Sequence, residues 1–203
     1  MPPCQAPATP TMSVHYPASD PDHALVVVPG PGTDRVAVEL FCTRHAARGV
    51  DVWLIDAPAG VDSDTSTQAT LSAGERIAET VGLPAFVYGS GSGAVAAASA
   101  MNASTLFAEA VLLIDAASAG QVRMPASHDS PPILYVVAGS DTVTAAQLSQ
   151  AVVAATALPV ELDVSPTDLG DLLGVDYVAH SDFVLDWCLR QLSNHLRAGW
   201  RFE

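Results

Sequence analysis

A glycine-packed turn, an imidazole and a carboxylate are the groups in this chain whose types and placing could do chemistry. Residues 85–101 read AFVYGSGSGAVAAASAM. An apolar run leads into the turn, and a helix of small residues follows it. The outline is G-x-S-x-G, a tight strand-to-helix connection that can hold a serine for attack on a carbonyl. Gly89 and Gly93 stand at the outer glycines. Gly91 stands at the vertex, so the scaffold for a reactive serine is present and its hydroxyl is missing. A non-glycine residue at so strained a vertex costs ~1–3 kcal/mol, which glycine relieves. Gly91 therefore reads as a turn with no catalytic role, as a site that never needed the serine, or as a serine changed to glycine. Ser90 and Ser92 flank the vertex, and their side chains are expected to point away from it.

The imidazole is His180, in the stretch DYVAHSDFVLDW ahead of a helical segment. Imidazole titrates near neutrality and is the usual proton carrier there; the plainer reading is a capping or solvated histidine. The carboxylate is Asp141, in the loop after ILYVV. Gly-Ser-Asp-Thr is also an ordinary turn or helix cap. Asp115, at the end of AVLLI, is a second candidate acid. The remaining histidines, His15, His23, His45, His128 and His195, read as structural, in the leader region, loops or helix surfaces. Gly89-x-Gly91-x-x-Ala94 also fits a dinucleotide fingerprint with Asp115 as ribose partner. That fingerprint usually opens its sheet, whereas here two or three strands precede it.

These groups must be carried by alternating strands and helices. Buried runs fall at 24–28, 52–55, 85–88, 110–114, 133–137 and 159–164, with a further edge strand near Ser13–Tyr16. Helical patterns fall at 34–48, with Gly49 as stop, at 67–81, with Gly82 as stop, and at 92–102, 143–157 and 181–196. Ser181 or Asp182 would cap the last of these. Alternation of this kind predicts an α/β fold, a mostly parallel sheet with helices on both faces. Ligands then bind at the carboxyl ends of the strands, where Gly30, Asp56, Gly91, Asp115 and Asp141 cluster.

The chain has 203 residues and 49% of them are hydrophobic, enough for one packed domain over 12–203 behind a loose proline-rich leader at 1–11. Its net charge of −14, with only 8 Lys and Arg, opposes binding to nucleic acid or an anionic membrane. No run approaches a membrane span. Cys4, Cys42 and Cys188 have no zinc or C-x-x-C spacing, so free thiols in a reducing, cytoplasmic setting are expected.

From about residue 12 onward the chain resembles the α/β-hydrolase family. ALVVV with PGPG looks like the oxyanion-loop strand, VWLIDAPAG like the strand and turn commonly read as DLPGHG, and VYGSGSGA like the nucleophile elbow. ILYVVAGSDTVT looks like the acid-bearing strand, and DYVAHSDFVLDW like the histidine loop. The resemblance implies a single-domain sheet with almost no lid, since the connection after AVLLIDA is short. It makes His180 the base, Asp141 its orienting acid and Gly91 the nucleophile position. The oxyanion hole would draw on the Ser92 N–H and on an N–H in PGPG. Pro31 falls at that second position and has no N–H, which leaves Gly32 to serve by a small shift. Losing one such donor costs ~2.7–4 kcal/mol in a typical hydrolase.

The expected function is that of a hydrolase-fold enzyme without a serine nucleophile. A His180–Asp141 dyad would act as general base on a small carbonyl substrate, an ester, thioester, lactone or polyketide-like compound. Hydrolysis, elimination and cyclisation all stay open, and bacterial secondary metabolism would suit that range. No cofactor or metal is expected, and self-association stays open. The alternatives are a non-catalytic protein that binds a ligand or partner, and a serine esterase or thioesterase altered at position 91.

Overall fold

The computed structural model describes residues 13–30, 33–56, 63–80, 82–103, 108–114, 131–138, 143, 146–147, 149–150, 160–165 and 177–199. The predicted leader at 1–11 lies outside them. The strands are β1 (Ser13–Tyr16), β2 (His23–Val28), β3 (Val50–Ile55), β4 (Ala85–Ser90), β5 (Ala110–Ile114), β6 (Ile133–Ala138) and β7 (Val160–Ser165). The helices with described bounds are α1 (Arg35–Ala46), α2 (Ser63–Thr80), α3 (Ser92–Ala103) and α4 (Tyr177–Gly199); of the predicted helix at 143–157, residues 143, 146–147 and 149–150 are described and helical, and the rest lies outside the described residues.

These strands form a seven-stranded sheet in the order β1-β3-β2-β4-β5-β6-β7. All neighbours run parallel except β1, which pairs antiparallel with β3 at one edge. Every residue of β2, β3 and β4 is buried. That is why their sequences read as continuous apolar runs rather than alternating ones: helices cover both faces. One face packs Ala24, Val26, Val87 and Leu113 against Ala73 and Ile77 of α2 and Ala94 and Ala97 of α3. The other packs Leu25, Val27, Phe86 and Tyr88 against Val38 and Phe41 of α1 and Val184 and Trp187 of α4.

Asp34 caps α1, its carboxylate accepting from the Val36 N–H at 2.9 Å. Gly49 and Gly82 follow α1 and α2 at the predicted stops. Two helices begin earlier than the sequence suggests. α2 starts at Ser63 rather than Thr67, and α4 at Tyr177 rather than Ser181. Ser181 and Asp182 are therefore not caps. Their side chains turn to α1 instead: Ser181 Oγ lies 3.2 Å from His45 Nδ1, and Asp182 receives Arg44 Nη2 at 2.9 Å and also Arg48. Cys42 and Cys188 are buried, unbridged thiols, and Cys4 lies outside the described residues. No helix among the described residues is long and apolar enough to cross a membrane.

Candidate functional site

The sheet reverses its direction of growth at β2. From there the chain goes to β3 on one side and then returns to β4 on the other. The carboxyl ends of β2 and β4 therefore flank the crevice where open α/β sheets hold ligands. The register pairs Val28 with Gly89 at that end.

The turn after β4 sits in this crevice with the geometry of an elbow. Gly91 has φ +56°, the left-handed region that side chains rarely adopt. Its carbonyl accepts from the Ala94 N–H at 3.1 Å, which starts α3. The two outer glycines are required by contact. A Cβ on Gly93 would stand 2.1 Å from the Val28 carbonyl oxygen and 2.7 Å from the Pro29 carbonyl carbon and oxygen. A Cβ on Gly89 would stand 2.8 Å from Ala94 Cα. Gly91 differs, since among the described residues its Cβ would meet only Gly30 Cα, at an ordinary 3.8 Å. The described residues thus leave room for a side chain at the vertex, which carries none. Ahead of it, the Gly30 carbonyl accepts from Thr33 Oγ1 at 2.8 Å and from Thr33 N at 3.3 Å.

His180 lies inside α4, in its first turn, and not in the loop before it as the sequence suggests. The helix begins early enough to bring the ring under the sheet, where the residue is only 2% exposed. Its Nε2 is 2.8 Å from the Tyr88 hydroxyl of β4. Phe41 of α1 stacks on the ring, with centroids 5.7 Å apart. Burial, with help from the nearby His45, lowers its pKa from 6.5 to about 4. The imidazole is therefore neutral across the physiological range.

Asp141, Asp115, Pro31 and Gly32 lie outside the described residues, as does the short connection expected to lack a lid. Ser92 is the first residue of α3. Gly91 and His180 are brought to the same strand, one beyond the end of β4 and the other against Tyr88 within it. Two residues on β4 bear on the site: Tyr88, which the sequence did not single out, and Ser90, read only as a flank of the vertex. Tyr88 and Ser90 share a strand face by the two-residue period, the face that meets α1 and α4. Ser90 is buried, and its Oγ makes no hydrogen bond, although it is close enough to the Tyr88 hydroxyl to favour the phenolate. Burial outweighs that and pushes the Tyr88 pKa well above its ordinary value.

Two of the histidines read as structural, His23 and His45, are also buried, each 1% exposed. His45 Nδ1 lies 2.9 Å from the Phe41 carbonyl, and burial lowers its pKa to about 4. His23 Nδ1 bonds the Asp22 carboxylate. The signal for His45 was in α1, where Val38, Phe41, Cys42 and His45 fall on one helical stripe. His15 is half-exposed, stacks on Trp53 with centroids 4.3 Å apart and bonds Asp51 at 2.9 Å. An open groove of about 620 Å³ runs along α4 past Phe183, Asp186, Leu189 and Arg190, and none of the elbow residues line it.

No family model matches the sequence, and no curated protein does. Solved structures do match. A dienelactone hydrolase from Anabaena variabilis aligns with a TM-score of 0.63 at 17% identity, over 88% of this chain and 90% of that one. A structure from a study of carboxylesterases of the thaumarchaeon Nitrososphaera gargenis aligns at 0.64 and 8% identity, over 92% and 98%. An α/β-hydrolase enzyme from the sediment metagenome of the Mar Chica lagoon, Morocco, aligns at 0.62 and 10% identity, over 88% and 94%. At these identities the likeness is one of fold.

Proposed function

We propose that this chain, which has the α/β-hydrolase fold, acts on a small carbonyl-containing molecule without forming a serine acyl-enzyme. The observation that carries the reading is the elbow: Gly89 and Gly93 are sterically required, the vertex is held at φ +56°, and Gly91 has no hydroxyl. The α3 N-terminus leaves its first N–H groups without helical partners, and the Ser92 N–H is the one we assign to a substrate oxygen. His180 is the proton acceptor. It is in the base form above pH about 4. The same lowering makes it a weak base, so its contribution belongs at the lower end of the ~10²–10⁴-fold typical of general acid–base catalysis. That suits hydrolysis of an activated ester, thioester or lactone, or elimination or cyclisation of a positioned polyketide-like substrate. Asp141 is the proposed orienting acid at Nδ1, and the proton is taken at Nε2, where the substrate's donor replaces the Tyr88 hydroxyl.

One observation favours a second reading, a protein that binds such a ligand or a partner without turnover. The His180 ring is almost fully covered and its Nε2 is already bonded. Turnover of activated esters, thioesters and lactones by wild type and His180→Ala, run side by side, separates the two. A fall of about 10² in kcat/KM with binding kept supports catalysis, and equal rates at the uncatalysed background leave the binding reading.

A further inference from the structure

We infer that Tyr88 is the positioning residue of His180: its phenol supplies the hydroxyl partner that position 91 lacks and fixes the imidazole with its proton on Nδ1. This rests on the reading of His180 as the base.

The direction of the hydrogen bond follows from the neighbours. The Tyr88 hydroxyl is 2.8 Å from His180 Nε2. A buried phenol must place its proton on an acceptor. Among the described residues, Ser90 Oγ is a further polar side-chain atom beside it, and it makes no hydrogen bond. The proton therefore points at Nε2, and Nε2 is the lone-pair nitrogen. Burial keeps Tyr88 in the neutral, donating form. In a neutral imidazole the ring proton must then reside on Nδ1. That is the tautomer a base needs when a carboxylate is to hold its other side.

The surroundings fix the pair in place. Tyr88 is 1% and His180 2% exposed. Phe41 packs on both, with ring centroids 5.3 Å from Tyr88 and 5.7 Å from His180. From α1, His45 is the titratable group that His180 feels, and Ser181 beside His180 lies 3.2 Å from His45 Nδ1. None of these supplies a donor to Nε2. In the sheet, Tyr88 stands three residues before the elbow vertex.

The test is nitrogen NMR of the full chain labelled at histidine, which needs no substrate. The wild type should show His180 as the Nδ1–H tautomer with a hydrogen-bonded Nε2. Tyr88→Phe should raise the proton affinity of His180 by about 2- to 10-fold, the worth of one net hydrogen bond to the neutral ring, and should populate the Nε2–H tautomer. Ser90→Ala and Phe41→Leu disturb the same cluster without touching the bond and should leave the tautomer unchanged. Fluorotyrosine at position 88, a more acidic donor, should move the proton affinity the opposite way, and serves if Tyr88→Phe does not fold. An Nε2–H tautomer in the wild type overturns the inference. So does a Phe41→Leu effect equal to that of Tyr88→Phe. If the tautomer results hold and no turnover is found, the positioning stands and the catalytic reading fails.

Discussion

Adding one methyl group at two neighbouring glycines should have very different costs. At Gly91 the new Cβ touches, among the described residues, only Gly30 Cα at 3.8 Å, so the penalty is that of a left-handed φ of +56°. That is ~1–3 kcal/mol, reduced by ~0.4–1 kcal/mol because alanine also restricts the unfolded chain. Gly91→Ala should therefore cost about 1 kcal/mol. At Gly93 the Cβ falls 2.1 Å from a backbone oxygen of β2, with Pro29 atoms at 2.7 Å. No side chain can swing aside. The α3 N-terminus would have to move off β2 by about 1 Å before the contact became tolerable. That breaks the packing of the whole helix against the strand and exceeds the ~1–3 kcal/mol usual for overpacking. Gly93→Ala should cost at least ~3 kcal/mol, or prevent folding. The assay is urea unfolding followed by circular dichroism, comparing midpoints at a common slope. Equal costs at the two positions, or a mild effect at Gly93, would refute the elbow packing.

Stability should fall between pH about 6.5 and about 4. His45 and His180 both have folded-state pKa values lowered to about 4, so their contribution is present above pH 6.5 and is lost as protons bind the unfolded chain first. Each shift corresponds to on the order of 3 kcal/mol, less than doubled for the pair because the two rings feel each other; His45→Gln should flatten the pH dependence. A fluorophosphonate probe should not label the wild type, and Gly91→Ser, for which the described residues leave room at the vertex, should gain labelling. Failure of that gain would point to the oxyanion loop, with proline at position 31. Asp182→Asn, which removes the partner of Arg44 and Arg48, should cost less than about 1 kcal/mol because the carboxylate is half-exposed.

Most of the fold was legible because the strands are buried on both faces. That forces uninterrupted apolar runs such as LVVV at 25–28 and VWLI at 52–55, and Gly49 and Gly82 mark where helices stop. The edge strand at Ser13–Tyr16 was legible too, but its antiparallel direction was not. The start of α4 was not. Ser181 and Asp182 have the composition of a cap, but their partners are His45, Arg44 and Arg48, far away along the chain. Local sequence cannot express such a contact. The elbow was readable at Gly91, whose positive φ the sequence anticipates. Tyr88 was passed over because an aromatic residue in a buried strand reads as core, and Ser90 was read only as a flank of the vertex. Only the period of two, combined with the arrival of His180 from α4, gives them a polar role.

The central claim is chemistry at an elbow with no covalent nucleophile. The most direct measurement is intact-protein mass spectrometry of samples quenched during turnover of an activated ester or thioester, with product measured in the same samples. The account predicts product formation that falls by about 10² in His180→Ala, with no acyl adduct on the protein at any time. An acyl adduct on Ser90 or Ser92, or product formation that does not depend on His180, would contradict it.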